Sequence, residues 1–394
     1  MSDHSIDTQL VHSGERLEKP AGKPVATPLY ATATYTYDSM AEMNAVFEGE
    51  GGDYIYSRYG NPNVTALEEV LRSIERGKAA VAYGSGMAAI HAALAACEIT
   101  SGSVVLASQD LYGATFDLLN KIFGVYGVKT KTADFNDPDG LRTTVEELKP
   151  RVLLAETISN PLLKVCDIEK IAEIAHSSGA KLIVDNTFAS PYLSRPLELG
   201  ADFSVHSATK YLSGHADANG GIVVSNDEFD GPMLSGIRKL VGGTLSVWEA
   251  HHIMRGIKTL GLRLERQCSN ARKLAEQLTG HPQIGKVFYP NLDDKEQAAK
   301  VLRGGFGGAI VSIRLKDDTR EAAWKFMDAL ELCVRATSLG DVYTLVSHSA
   351  SSSHRELSPK KRAELGISEG LVRISVGIED VSDIIADIEQ ALAQ

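Results

Sequence analysis

The stretch RVLLAETISNPLLKVCDIEKIAEIAHSSGAKLIVDNT, residues 151–187, decides the fold. It opens on an apolar run without polar alternation, the pattern of a strand buried on both faces. Asp167 then stands where a helix N-cap belongs, ahead of Ile168, Ile171, Ile174 and Ala175 at three- and four-residue steps, and Gly179 ends the pattern. A second apolar run, KLIVD, follows, so strand, helix, strand is the economical reading.

The same alternation extends in both directions. Helical patterns separate the apolar runs AAVAY, SVVLAS, VKTKTAD, RVLLAET, KLIVDNT, DFSVHS and GGIVVS. Strands spaced by helices predict an α/β fold with a large, mostly parallel sheet covered on both faces. Near residue 250 the character changes to one long amphipathic helix carrying Ile257, Leu260, Leu264, Cys268, Ala271, Leu274 and Leu278. GGAIVSIRL and GLVRISVGI are strand candidates beyond it. A last helix with Val381, Ile384, Ile385, Ile388 and Leu392 on one stripe closes a smaller C-terminal α/β domain. The first 60 residues mix Pro, Gly, Thr and Tyr with little periodicity and read as an extended arm that needs a surface to lie on. The expected division is an arm at 1–60, a large domain at 61–250 and a small domain at 251–394.

Composition narrows the function. A chain of 394 residues with 43% hydrophobic and 23% charged residues has ample core and is not disordered. A formal net charge of -11 argues against a broad nucleic-acid or anionic-membrane surface. No apolar run is long enough to span a bilayer, and the start MSDHSIDTQL lacks a signal-peptide pattern, so a cytoplasmic protein is expected. Cys97, Cys166, Cys268 and Cys333 show neither zinc-site nor redox spacing and read as buried thiols; no metal site is expected.

Two clusters carry chemistry. In AAVAYGSGMAAIHAALAAC, Gly84, Ser85 and Gly86 fall between a strand and a helix, where bare N–H groups bind an anion such as phosphate. GSGMAA also fits a loose dinucleotide fingerprint, but the strand SVVLASQ offers no acidic ribose ligand. Further on, SVHSATKYLSGHADANGG sets Ser207, Thr209 and Lys210 at the end of an apolar run. A lysine there can form an imine with an aldehyde cofactor, and a strand period of two lets Ser207 and Thr209 face a phosphate together. Asp185, at the end of KLIVD, is placed to pair with a protonated pyridine nitrogen. Alone, Lys210 reads equally as a loop residue and Asp185 as a turn cap. Together with the glycine cradle they are explained more simply by pyridoxal 5'-phosphate.

At this point the sequence resembles the Cys/Met metabolism family of pyridoxal-phosphate enzymes, which includes cystathionine γ-synthase, cystathionine γ-lyase, methionine γ-lyase and the O-acylhomoserine sulfhydrylases. YIYSRYGNPN, YGSGMAAI, LYGATF, NPLLKVCDI, VDNTFASPYL, HSATKYLSGHAD, GIKTLGLRLERQC and GLVRISVGIEDVSDII carry the likeness along almost the whole chain. The resemblance implies a fold-type I pyridoxal-phosphate transferase fold and Lys210 as the Schiff-base lysine and proton carrier. It implies phosphate contacts from the Gly86 and Met87 backbone and the Ser207 and Thr209 hydroxyls, and a pyridine contact from Asp185. Tyr112 matches the ring-stacking tyrosine, and Tyr56 and Arg58 match a pair that reaches the phosphate of the adjoining subunit. Arg373 matches the clamp for the substrate α-carboxylate, with Asn160 and Ser338 around it. A homotetramer built from two active dimers is implied as well.

Departures from the family patterns bear on the reaction. Ala114 stands where methionine γ-lyases usually carry a cysteine, Arg238 and Lys239 stand where they carry a Lys-Asp pair, and Thr337 replaces the glutamate of cystathionine-handling members. Asp341 and TLVSHSAS look closer to the lyase and sulfhydrylase branches, although Ser349 replaces a frequent proline. HADANGG also departs from the commoner pattern, and His215 within it reads as a loop-stabilising residue. On these grounds the first expectation is γ-replacement on an O-activated homoserine by a sulfur nucleophile. The second is γ-elimination, a C–S lyase that releases a 2-oxo acid, ammonia and a thiol.

Overall fold

In the computed structural model, which describes residues 22–50 and 54–394, two sheets organise the chain. The large sheet comprises β1 (Ala79–Tyr83), β2 (Val104–Ser108), β3 (Lys129–Ala133), β4 (Val152–Glu156), β5 (Lys181–Asp185), β6 (Phe203–Ser207) and β7 (Gly221–Ser225). Its order is β1-β7-β6-β5-β4-β2-β3. Each of these strands falls on one of the apolar runs. The pairs from β6 to β3 are parallel, and β7 is antiparallel to both of its neighbours, β1 and β6. At the outer edge, β3 alternates and exposes Lys129 and Lys131, charges that discourage edge-to-edge pairing.

Helix formation follows the local signals. Helix α1 (Pro62–Ile74) begins with Pro at its first position after the Asn61 cap, and α2 (Gly86–Ala96) is capped by Ser85. In α3 (Ile168–Ser177), Asp167 accepts from the backbone N–H of Lys170 at 3.2 Å, and Gly179 takes the left-handed φ of 77° that ends the turn. Ile168, Ile171, Ile174 and Ala175 are all buried.

The long helix expected from Ile257 is two helices. Helix α4 (Asp230–Val241) precedes them; α5 (Val247–Ile257) then ends, and α6 (Leu260–Leu278) starts after a break at Lys258 and Thr259. The Gly256 carbonyl is taken by the Thr259 amide at 3.1 Å and by Arg263 Nη2 at 2.9 Å, which closes the first helix although the apolar stripe runs on.

The small sheet comprises β8 (Ile284–Phe288), β9 (Ile310–Leu315), β10 (Val334–Arg335), β11 (Leu345–His348) and β12 (Leu371–Ser375) in the order β10-β11-β12-β9-β8. Helix α7 (Val381–Leu392) packs on it through Ile384, Ile388 and Leu392. Helix α6 serves both cores: Leu260, Leu264 and Cys268 pack with the large sheet, and Ala271, Leu274 and Leu278 with the small one.

Of the arm, residues 1–21 lie outside the described residues. In the rest, the helix Met40–Phe47 buries none of its residues, and Tyr30 is tied to Asn63 through its backbone N–H at 2.8 Å.

Candidate active site

Three adjacent parallel strands end in polar residues, Glu156 on β4, Asp185 on β5 and Ser207 on β6. They define the carboxyl edge of the sheet, where ligand sites of open α/β folds collect. Beside them α2 begins. A Cβ added to Gly86 would lie 2.8 Å from Ser207 Cβ, so the helix starts this close to β6 only because residue 86 has no side chain. Ser85 spends its hydroxyl on the Ala88 amide at 3.1 Å, and the backbone N–H groups of Gly86 and Met87 lie in the first turn, where a helix has no partners of its own to offer.

Lys210 lies in the turn after β6, its amide donating to the Ser207 carbonyl at 3.2 Å. Its Nζ donates to Ser338 Oγ at 2.9 Å. The loop bearing Ser338 rests on the lysine turn: a Cβ on Gly340, whose φ is 81°, would meet the Tyr211 nitrogen at 2.6 Å. Burial, then the charge of Arg373, pushes the Lys210 amine below the ordinary lysine range, with Asp341 opposing.

Arg373 comes from β12 and is 4% exposed. Its Nη1 donates to Asn160 Oδ1 and its Nη2 to the Ser338 carbonyl, each at 3.0 Å, while the guanidinium lies 5.9 Å from the Phe188 ring centroid. Among the described residues no carboxylate is within ion-pair distance, and Nε has no partner. Burial lowers its pKa to about 10. A buried cation held by neutral acceptors is a ready partner for a ligand carboxylate. Lys210, Ser338, Asn160 and Arg373, distant in sequence, thus form one connected group.

Asp185 accepts from the Thr187 amide at 2.9 Å, and burial raises its pKa against that help. Beside it, Glu156 was not among the candidates read from sequence. The two are register partners on β4 and β5, and Glu156 Oε1 accepts from the Tyr112 amide at 2.7 Å. Burial, and then the nearby Asp185, hold Glu156 well above the usual carboxylate range. A signal existed, since VLLAE and KLIVD are adjacent strands that both finish in an acid. His354 was missed as well. It is buried near Arg373 and the Asn160 backbone, and burial first, then Arg373, depresses its pKa to about 4. Nothing in the polar run SSSHREL marks it.

Other expected residues are arranged differently. Strand β6 stops at Ser207, so Thr209 does not continue its alternation; the Thr209 hydroxyl instead accepts from the Gly220 amide at 3.1 Å. Tyr112 is 40% exposed, anchored through its backbone. Tyr56 and Arg58 do not join the lysine group of their own chain. Arg58 donates to the Lys239 carbonyl at 2.7 Å and lies against the rings of Tyr56 and Tyr59 at 5.3 and 4.9 Å. Arg238 is buried in an ion pair with Glu68 at 2.5 Å, a structural tie between α4 and α1. His215 donates from Nδ1 to the Ser213 carbonyl at 2.7 Å, within its own loop.

A mostly parallel sheet with an anion-ready helix start, a buried lysine and a buried carboxylate at its carboxyl edge has the architecture of a fold-type I pyridoxal-phosphate enzyme. The comparisons agree: residues 7–393 match the model of the Cys/Met metabolism PLP-dependent enzyme family, and the chain belongs to it. It is 42% identical to the L-methionine gamma-lyase of Pseudomonas putida over 98% of this chain and 96% of that protein. It is 38% identical to a cystathionine beta-lyase of Lactococcus lactis, over 98% of this chain and 99% of that one. The crystal structure of cystathionine gamma synthase from Xanthomonas oryzae, in complex with aminoacrylate and cysteine, superposes with a TM-score of 0.88 at 35% identity, covering 94% of this chain and 93% of the other. The protein is therefore a pyridoxal-phosphate-dependent enzyme of sulfur amino-acid metabolism. Among the described residues no helix is long and apolar enough to cross a membrane, and no cluster of metal-ligating side chains occurs.

Proposed function

We propose that the protein is a carbon–sulfur lyase that uses pyridoxal 5'-phosphate on Lys210 to eliminate the γ-thiol group of a thioether amino acid. The observation that carries the substrate class is Arg373, a buried cation without a carboxylate partner, linked through Ser338 to the Lys210 amine. An α-amino acid presents a carboxylate and an amine a short distance apart, and this pair of groups matches both.

The residues fit the cofactor. Gly86 and Met87 would offer backbone N–H groups to its phosphate, with the Ser207 and Thr209 hydroxyls beside them, and Asp185 would take the pyridine nitrogen. The bare helix start that Gly86 permits against Ser207 is the feature of this structure that supports the cradle. Tyr112 would cover the ring. Tyr56 and Arg58, exposed and away from their own lysine, would serve the phosphate of a neighbouring chain. That arrangement goes with a dimer of dimers in which the arm at 1–60 lies on a partner, and the apolar residues that Met40–Phe47 leaves uncovered support it. The large domain at 61–250 would hold the cofactor, and the small one at 251–394 would supply Ser338 and Arg373.

When bound, the cofactor supplies an aldehyde that condenses with amines and a ring that withdraws electrons from Cα. Arg373 and Asn160 hold the carboxylate and fix the Cα–H bond. Lys210, once released, takes the Cα proton; burial keeps its amine closer to the neutral form that can accept it. Carrying protons onward lets the γ-thiol depart, and with water the balance is one thiol, ammonia and a 2-oxo acid.

The relatives support lysis ahead of γ-replacement, the reverse of the order expected from sequence, since two lyases match at higher identity than the synthase. The replacement reading keeps one specific observation in its favour, Ala114 in place of the lyase cysteine. Purified protein incubated with L-methionine, L-cystathionine, and O-acetyl- or O-succinylhomoserine, each with and without cysteine, separates them by mass. A thiol and 2-oxobutanoate formed from a thioether without cysteine support lysis. Cystathionine formed from an ester with cysteine, and no turnover of thioethers, overturns it.

A further inference from the structure

We propose that Glu156 is a positioning residue that acts as a neutral carboxylic acid, fixing the Tyr112 backbone with one oxygen while its proton leaves Asp185 free to carry the charge. The inference rests on the cofactor reading above.

Geometry requires a choice between the two acids. Glu156 and Asp185 are in register on neighbouring parallel strands, so their side chains leave the same face of the sheet, with the strands about 4.8 Å apart. Two carboxylates buried that close do not both ionise. Their surroundings assign the proton. Asp185 has the Thr187 amide to stabilise a negative charge and, on the cofactor reading, would take the pyridine nitrogen. Glu156 has one oxygen accepting from Tyr112 N at 2.7 Å, and its Oε2 is buried with no partner. The Tyr112 and Asn160 amides favour a charge there, but among the described residues no cation pairs with Glu156, and burial beside Asp185 outweighs the two amides. Asp110, a third carboxylate on this side, adds a smaller push in the same direction, and Lys164 pairs with Asp110 at 2.9 Å and not with Glu156.

The consequence is mechanical as well as electrostatic. Tyr112 opens the short helix Gly113–Asp117 without a side-chain cap of its own. Glu156 ties that start to the sheet edge, so the tyrosine that would cover the cofactor and the aspartate that would hold its nitrogen share one frame. Glutamine can reproduce this role, because its amide oxygen accepts from Tyr112 N and it carries no charge; alanine cannot.

The test combines a spectrum that needs no cofactor with kinetics that do. Infrared spectra of the cofactor-free protein at neutral pH should show a protonated-carboxyl band that disappears in Glu156→Gln. In the loaded enzyme, Glu156→Ala should lower kcat about tenfold or more with KM changed less than about threefold, and Glu156→Gln should recover most of the loss without moving the acid limb of the pH profile. No band lost on substitution, or a glutamine variant as impaired as the alanine variant, overturns the proposal. If Glu156→Ala does not fold, the infrared comparison of the wild type with Glu156→Gln decides alone. A wild type that develops no visible absorbance with pyridoxal phosphate overturns the Lys210 reading instead, and the infrared band still decides on Glu156.

Discussion

Lys210 Nζ donates to Ser338 Oγ over 2.9 Å, and the carbonyl of the same serine accepts from Arg373 at 3.0 Å. A single residue of the small-sheet side therefore spaces the lysine amine from the Arg373 guanidinium. Replacing Lys210 by Ala should abolish product formation, a fall of about 10²-fold or more from loss of the proton carrier alone. Ser338→Ala should leave the lysine in place but unanchored and reduce kcat by about tenfold. Single-turnover kinetics on cofactor-loaded protein checks both.

Arg373 sits on β12 with its two terminal nitrogens occupied by neutral oxygens. Removing it as Arg373→Ala should cost about 2–5 kcal/mol of substrate binding, the range for truncating one partner of a buried charge pair. Arg373→Lys should recover only part, because an ammonium cannot reproduce a planar fork. The measurement is kcat/KM for an amino acid and for its decarboxylated amine. The wild type should prefer the acid strongly, and the alanine variant should lose that preference.

Gly86 is the residue whose missing side chain lets α2 approach β6. Gly86→Ala places a carbon where Ser207 already lies, and overpacking of this kind costs about 1–3 kcal/mol. The displaced helix start should weaken pyridoxal-phosphate affinity by about tenfold or more and lower the melting temperature of the cofactor-free protein by a few degrees. Absorbance titration with the cofactor, set beside a thermal melt, checks both.

His354 is neutral in the fold, its pKa held down to about 4, whereas an unfolded histidine titrates near 6.5. Between these values the unfolded chain binds the extra proton, so stability is complete above about 6.5 and declines as pH falls toward about 4. The loss should reach on the order of 3 kcal/mol. Denaturant melts from pH 7 to 4 should show this slope, and His354→Asn should flatten it.

The sequence made the large sheet legible because most of its strands are short apolar runs, from AAVAY to GGIVVS, with only the edge strand β3 alternating. Direction was not legible in the same way: β7 is apolar throughout, and nothing in such a run distinguishes an antiparallel strand from a parallel one. The division of the long helix at Lys258 was hidden because the apolar stripe continues across it, and the break is made by Arg263 and Thr259 taking one carbonyl. Lys210, Asp185 and the glycine start were visible because polar residues at the end of a buried strand need a reason. Glu156 had the same standing but no separate motif, and His354 reaches the clamp only through a tertiary contact. Strand alternation does not place Thr209, because β6 ends two residues before it and the residue lies in the following turn.

Helix α6 has a further bearing on how the molecule comes apart. Its first half lies in one core and its second half in the other, so melting either sheet strips packing from the helix that the remaining sheet depends on. A rod shared in this way makes the two layers a single cooperative unit. Heating should give one calorimetric transition, with no temperature at which the lysine side stands folded and the arginine side does not.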